Sequence, residues 1–428
     1  MRLYNTRTQN LAPFELPNDP VRIYVCGITP YDTTHLGHAF TYAVADVLIR
    51  YLEFQGRQVH YVQNVTDIDD DILRKAAELN EEWRTLGNRW TAHFIDDMIA
   101  LNIRPPDHYP RATETIDRIL ELIEQLLAAG VAYVAGGNVY YAVAAWPEFG
   151  KVSRIPRQTM LAVANERGNR PDDPHKRDPL DFVLWQAQAP GEPAWPSPWG
   201  PGRPGWHIEC SAMATAYLGN TVDLHGGGGD LLFPHHECEV AQVEPLTAGK
   251  PFVRYWLHAS MVEYEGEKMS KSLGNLVMVR DLLQEVSPDA LRLYLAAHHY
   301  GSAWSYRRAD LRQSEMLAEK LHKAALAEGE GREAVDPEPS RSAFIQAMDH
   351  DLDTPGAVAA LAHLAEEIIQ GVDKDKDVCP AQATLRHLGT VLGLRLTNSE
   401  PEPRVQEIWS RHRQRFTNED DKASNQSP

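Results

Sequence analysis

Tyr24-Val25-Cys26-Gly27-Ile28-Thr29-Pro30-Tyr31-Asp32-Thr33-Thr34-His35-Leu36-Gly37-His38 is the stretch from which the fold is read. Arg22 to Val25 is short, apolar and partly β-branched, the composition of a buried parallel strand, and it ends on the Cys26 thiol. Thr33 and Thr34 read as N-caps, and from Ala39 the residues Phe40, Ala43, Val44, Val47, Leu48 and Tyr51 recur at helical spacing. His35 and His38 therefore project from one side of the first turn, Gly37 permits close approach to the backbone, and the free N–H groups of a helix start favour an anion such as a phosphate. The same residues also fit a capped surface helix with two solvated histidines.

A second β-branched run, Gln58 to Val65, ends in Thr66-Asp67. Strand, helix, strand predicts a doubly wound parallel α/β sheet of Rossmann-like type, with ligands beyond the carboxyl ends of its strands and Cys26 and Thr66 on one rim. Ile72 to Asn102 and Ala112 to Gly130 read as helices, and Val131 to Val143 as a hairpin about Gly136-Gly137. From Pro147 to Pro204 the chain is rich in proline, glycine and charge, with Trp185, Trp195 and Trp199, and reads as an irregular insertion over the rim. Thr221 to His225 is a third strand ending in Gly226 to Gly229, and Tyr255 to Val262 a further one. A polar loop, Lys268-Met269-Ser270-Lys271-Ser272, follows, then a helical bundle from Ser287. The expected division is a first half of the catalytic domain (1–103), a connective insertion (104–204), a second half with the lysine loop (205–286), a bundle (287–396) and a charged, disordered tail (397–428).

With 428 residues, 24% charged and 43% hydrophobic, the chain is an ordinary globular protein with room for several domains. It contains no apolar run of spanning length and no secretory signal at Met1 to Asn5, so a cytoplasmic protein without membrane contact is expected, as a monomer. Four scattered cysteines make no disulfide framework. The net charge of −18 offers no general basic face to nucleic acid, although Arg404 to Arg415 is a local basic patch.

Cys26, Cys210 and His235 fall at strand ends or helix starts of the same expected rim, with Glu239 four residues beyond His235 and Cys238 three beyond. Two thiolates, an imidazole and a carboxylate make a tetrahedral zinc site, although the spacing is not that of a compact zinc finger and plain burial also accounts for such residues. A zinc ion there would select a thiol-bearing substrate. The two lysines of the polar loop suit a mobile cover for a triphosphate, or else a solvated turn.

His35-Leu36-Gly37-His38 and Lys268 to Ser272 resemble the two nucleotide motifs of class I aminoacyl-tRNA synthetases. Cys26-Gly27-Ile28-Thr29, Asn64-Val65-Thr66-Asp67, Gly205 to Cys210 and His225 to Glu239 resemble its cysteine-activating branch, which joins cysteinyl-tRNA synthetase and the mycothiol-pathway ligase of glucosaminyl-inositol. The resemblance implies one zinc ion on Cys26, Cys210, His235 and Glu239. It further implies ATP, with magnesium, handled by His35, His38, Lys268 and Lys271. Cysteine or its adenylate is implied at Thr29, Thr66, Trp206, His225 and Asp230, with Gly27, Ile28, Asn64 and Val65 in the same motifs, and the adenylate at Thr41, Gly228, Gly229 and Val262. Cysteine and ATP would give cysteinyl-adenylate and pyrophosphate by positioning and charge stabilisation, without a general base.

For the acceptor, Thr29-Pro30-Tyr31-Asp32 and Glu166-Arg167-Gly168-Asn169-Arg170-Pro171 resemble the glucosaminyl-inositol ligase, the latter departing at Asn169 and Arg170. A chain ending soon after its bundle, without an anticodon-reading domain, points the same way. Glu239, Arg111 to Glu114 and Ser270 to Asn275 are synthetase-like, and Val405 to Phe416 reads as a remnant tRNA-binding helix. The expectation is transfer to a small amino sugar, with tRNA as the alternative and a catalytically silent binding protein as a third. Cys238 and Cys379 are expected to be structural.

Overall fold

The computed structural model of the chain describes residues 1–32, 34–269, 274–397 and 400–424, apart from the side chains of Lys268 and of 418–424. A hairpin of β1 (Arg2–Asn5) and β2 (Asn10–Pro13) precedes β3 (Val21–Ile28), helix α1 (Leu36–Phe54) and β4 (Val59–Val65). Helices α2 (Asp70–Leu79), α3 (Trp83–Ala100) and α4 (Ile116–Ala128) lead to the insertion: β5 (Ala132–Ala135), β6 (Asn138–Tyr141), α5 (Arg157–Glu166), β7 (Phe182–Ala187) and β8 (Gly202–Pro204). The chain returns through α6 (Trp206–Leu218), β9 (Val222–Gly228), α7 (Glu237–Val243) and β10 (Val253–Ala259), then β11 (Val262–Tyr264) and β12 (Glu267–Lys268). It ends in α8 (Val279–Leu282), α9 (Pro288–Ala296), β13 (Trp304–Tyr306), α10 (Arg308–Ala325), α11 (Glu338–Asp349), α12 (Thr354–Asp373), α13 (Cys379–Val391) and α14 (Pro403–Ser424).

The central sheet runs β10, β9, β3, β4, every pair parallel, so the expected α/β sheet is present with β3 in its interior. Burial on both faces explains why β3 reads as a continuous apolar run rather than an alternation. Helix α1 lays Leu36, Phe40, Leu48 and Tyr51 into the same core as Val25, Leu224 and Leu257 of the sheet and Leu291 and Leu361 of the bundle. Gly27 is obligatory where β3 meets β4: an added Cβ would lie 1.5 Å from the Asn64 carbonyl oxygen.

Several expectations are corrected. His35, not Thr34, caps α1, because its Nδ1 accepts from the Gly37 and His38 backbone N–H groups at 3.1 and 3.4 Å; Thr33 lies outside the described residues. The helix expected over Ile72 to Asn102 breaks between α2 and α3, where Asn80 adopts φ of +50°. Strand β9 continues through the glycines to Gly228 rather than stopping at His225, since Gly226 to Gly228 pair with Leu257 to Ala259. The expected hairpin is present as β5 and β6, turned by Gly136 and Gly137 at φ of +59° and +81°, but Pro147 to Pro204 is not irregular: it carries α5, β7 and β8, and the two strands extend the hairpin into an antiparallel sheet. Phe182 to Ala187 is an ordinary strand sequence whose proline- and glycine-rich flanks mask it.

The stretch from Thr397, read as a disordered tail, carries α14. Trp409 is fully buried, meets Tyr109 edge-on at 5.4 Å and donates its indole N–H to the Ile103 carbonyl at 2.9 Å, while Arg111 sits 4.0 Å over the Phe416 ring. Val405, Trp409 and Phe416 recur at helical spacing, and this apolar stripe outweighs the charged composition between them.

Candidate active site

The carboxyl ends of β3, β4 and β9 and the starts of α1 and α6 open on one cavity of about 990 Å³, covered on its far side by the insertion. Of the residues singled out in the sequence, Cys26, Gly27, Ile28, Thr29, His35, His38, Thr41, Asn64, Thr66, Trp206, Cys210, Gly228, Asp230, His235 and Val262 line it. Glu239 and His225 are buried and contribute from beneath, and Gly229 follows the end of β9. Val65 instead lies in the core, its backbone paired with Ile28. Lys268 ends β12, and Lys271 lies outside the described residues.

The floor holds the donors. Ligand atoms of Cys26, Cys210, His235 and Glu239 all fall within 4.8 Å of one another, and all four residues are buried. Cys26 Sγ lies 3.9 Å from Cys210 Sγ and 3.7 Å from Glu239 Oε1, which in turn is 3.2 Å from His235 Nε2. Two thiols, an imidazole and a carboxylate at these separations are a zinc-competent donor set. Burial, followed by the neighbouring Cys210 and Glu239, pushes the Cys26 thiol well above its ordinary range, and burial beside His207 and His225 pushes His235 well below its own. A cation among these atoms removes the first penalty and uses the neutral imidazole that the second supplies. Cys238 is outside this group and packs in the insertion core, as expected of a small hydrophobe, and Cys379 is an exposed residue at the start of α13.

A histidine layer escaped the sequence reading. His207 Nδ1 is 2.9 Å from His235 Nδ1; His236 Nε2 is 3.3 Å from Cys26 Sγ, and its Nδ1 is 2.7 Å from His258 Nε2, which reaches Thr6 through its other nitrogen. His225 Nε2 meets Glu239 Oε2 at 3.0 Å, and Cys26, His225, His236 and Glu239 form a second group of convergent donors. Burial holds His207 and His258 down to about 3, the latter helped by His225. The doublet His235-His236 was the available signal.

The walls are built by backbone geometry. Asn64 Oδ1 accepts from Gly27 N at 2.7 Å and its Nδ2 donates to Thr66 Oγ1 at 3.2 Å, fixing the β3 and β4 ends together. The His35 and His38 rings stack at 3.8 Å, and Trp206 stacks on His235 at 4.4 Å. Arg167, from the loop after α5, reaches Asp230 at 3.1 Å, so the insertion is tied to the rim.

This rim is matched, over residues 14–316, by the family of class I tRNA synthetase (C) catalytic domains. The chain belongs to the class I aminoacyl-tRNA synthetase family. A DALR domain matches residues 343–397 of this synthetase-family chain. Among relatives, a cysteine–tRNA ligase of Alkalilimnicola ehrlichii is 49% identical over 373 residues, covering 86% of this chain and 79% of the relative. The L-cysteine:1D-myo-inositol 2-amino-2-deoxy-alpha-D-glucopyranoside ligase of Thermomonospora curvata is 45% identical over 373 residues, covering 87% and 89%. Among solved structures, Mycobacterium tuberculosis methionyl-tRNA synthetase in complex with methionyl-adenylate shares the fold, with a TM-score of 0.62 at 16% identity over 88% of this chain and 89% of that one. The family consists of ligases, and this member is an enzyme of that class. No helix among the described residues is long and apolar enough to cross a membrane.

Proposed function

We propose that the chain activates cysteine with ATP and transfers the cysteinyl group to the amine of a glucosaminyl-inositol-type acceptor. The observation that carries activation is the meeting of two elements in one cavity: the four donors of the floor and the stacked His35–His38 pair at the start of α1. Cys26, Cys210, His235 and Glu239 would hold zinc, which when bound selects a thiol over a hydroxyl. Thr29, Thr66, Trp206 and Asp230 would seat cysteine, while Thr41, Gly228, Gly229 and Val262 would hold the adenylate. His35, His38, Lys268 and Lys271 would stabilise charge on the phosphates. A carboxylate oxygen of cysteine attacks the α-phosphorus, and the bond to pyrophosphate breaks with its electrons. The acceptor amine then attacks the carbonyl carbon, AMP leaves, and the amine gives up a proton. Alignment and fixed charge accomplish both steps.

Support for a small acceptor comes from α14, the expected tRNA-binding remnant. Three of its arginines are engaged within the chain: Arg413 with Asp96 at 2.8 Å, Arg415 with Glu114 at 2.7 Å and Arg411 with Glu407 at 3.2 Å. Arginines so engaged are less available to phosphates, the contacts that dominate nucleic-acid affinity. A second reading, charging of tRNA, is favoured by Glu239 within the donor group and by relatives that more often carry the cysteine–tRNA ligase name. The deciding experiment offers glucosaminyl-inositol and total tRNA separately to the zinc-loaded protein with ATP and labelled cysteine. Amide without charged tRNA is expected; charged tRNA without amide overturns the acceptor while leaving activation in place.

A further inference from the structure

The cavity extends beyond the residues that the two steps use. Phe182, at the start of β7, sits with its ring 5.6 Å from that of His207 beside the donor group, and Ala187, at the end of the same strand, still lines the cavity. At about 3.3 Å per residue these positions are roughly 16 Å apart. The cysteine and adenylate positions proposed above belong to the parallel sheet, α1, α6, the start of β11 and their loops. The far stretch is lined instead by the insertion sheet and the loop after α5.

The polar groups there are fixed in place. Asn138 Oδ1 accepts from Ala187 N at 2.8 Å and its Nδ2 donates to the Tyr140 hydroxyl at 3.0 Å, which itself donates to Asp173 Oδ2 at 2.7 Å. Asp173 Oδ1 accepts from His175 N at 3.0 Å, and the half-buried Lys176 ammonium donates to Asn169 Oδ1 at 2.5 Å. A carboxylate has about four lone-pair directions and an ammonium three protons, so both retain capacity toward the cavity. Of the arginines bordering this stretch, Arg167 is paired with Asp230 at 3.1 Å and Arg203 with Glu192 at 3.1 Å and with Asp70, while Arg170 lines the cavity near Lys176. An adjacent acceptor and donor, the acceptor held by a buried phenol, suit paired hydroxyl groups.

We propose that this far stretch is the acceptor subsite and that it takes a polyhydroxylated ring, whose neighbouring hydroxyls are held between Asp173 and Lys176. The assignment rests on the small-amine reading above. Its test separates the two half-reactions in Asp173→Ala and Lys176→Met, measuring cysteine-dependent ATP–pyrophosphate exchange and amide formation against glucosaminyl-inositol concentration. The acceptor KM should rise at least tenfold in each while exchange stays within twofold of wild type. Lys176→Met leaves the Tyr140–Asp173 bond intact and decides the matter if exchange falls in the alanine variant. An unchanged acceptor KM in Lys176→Met, with wild-type amide formation intact, overturns the subsite alone. Wild-type protein that charges tRNA and forms no amide removes the small-amine reading and this assignment with it.

Discussion

Asp46, in the middle of α1, joins the helix that begins at the active site to the helical bundle. Its carboxylate takes Arg50 Nε at 2.8 Å, Arg292 Nη2 at 2.5 Å and the Arg104 backbone N–H at 2.7 Å, with no exposure of its own. Burial alone would raise its pKa, but Arg50 and Arg292 outweigh it and hold the group below its usual range. Asp46→Asn keeps the volume and removes the charge, leaving two buried guanidiniums. Each retains a backbone carbonyl, Arg50 that of Asn102 at 2.8 Å and Arg292 that of Leu101 at 3.0 Å, and Arg50 keeps Glu402 at 2.7 Å, so Arg292 is the ion that loses its ion-pair partner. Breaking one side of a buried pair costs about 3–5 kcal/mol, and at an effective dielectric near 20 each lost attraction at roughly 4 Å is about 4 kcal/mol. Urea denaturation followed by tryptophan fluorescence at pH 7 should therefore lose about 3–5 kcal/mol. A group whose folded pKa is depressed contributes fully above its unfolded value near 3.9, so the gap between wild type and variant should persist down to about pH 4 and narrow below it. A loss under about 1 kcal/mol, or a gap that widens in acid, would refute the reasoning.

Three further expectations follow from other parts of the molecule. Gly27→Ala drives a Cβ into the Asn64 carbonyl and should cost about 1–3 kcal/mol or more while weakening cysteine binding at Thr66; wild-type stability and cysteine KM would contradict it. Cys210→Ala should lose bound zinc, by elemental analysis, together with cysteine-dependent exchange; zinc retained at full stoichiometry would take Cys210 out of the donor set. Asp69, whose carboxyl burial pushes up to about 6, should make stability fall as pH rises from about 4 to 6, because the folded state holds a proton there that the unfolded chain has released. Asp69→Asn should make that slope shallower in paired denaturation curves, the rest coming from other buried carboxyls such as Asp67 and Glu209, and an unchanged slope in the variant would assign it to them alone.

The parallel sheet was legible because β3 and β4 are largely buried and rich in β-branched residues, Val21, Ile23, Val25 and Ile28 in one and Val59, Val62 and Val65 in the other. The donors were legible as residue types at strand and helix ends, since a doubly wound sheet gathers those ends on one rim. The histidine layer was not, because His207, His236 and His258 lie on separate elements and meet only through the packing of α6, α7 and β10. The His35 cap was missed since a threonine offers the commoner capping side chain, whereas here the imidazole Nδ1 faces its own helix start. Val405 to Phe416 was legible as a helix, but its docking was hidden by composition: apolar side chains packed on Tyr109, Ile103 and Arg111 order a stretch rich in charge.

The most direct measurement is ATP–pyrophosphate exchange by zinc-loaded protein with cysteine and, in parallel, with serine, the same skeleton carrying a hydroxyl. Rapid exchange with cysteine and a rate at least a hundredfold lower with serine is the expected result, since thiolate and hydroxyl differ sharply as metal ligands. Equal rates with both amino acids, or no exchange with either, would contradict a thiol-selecting cysteine-activating site on Cys26, Cys210, His235 and Glu239.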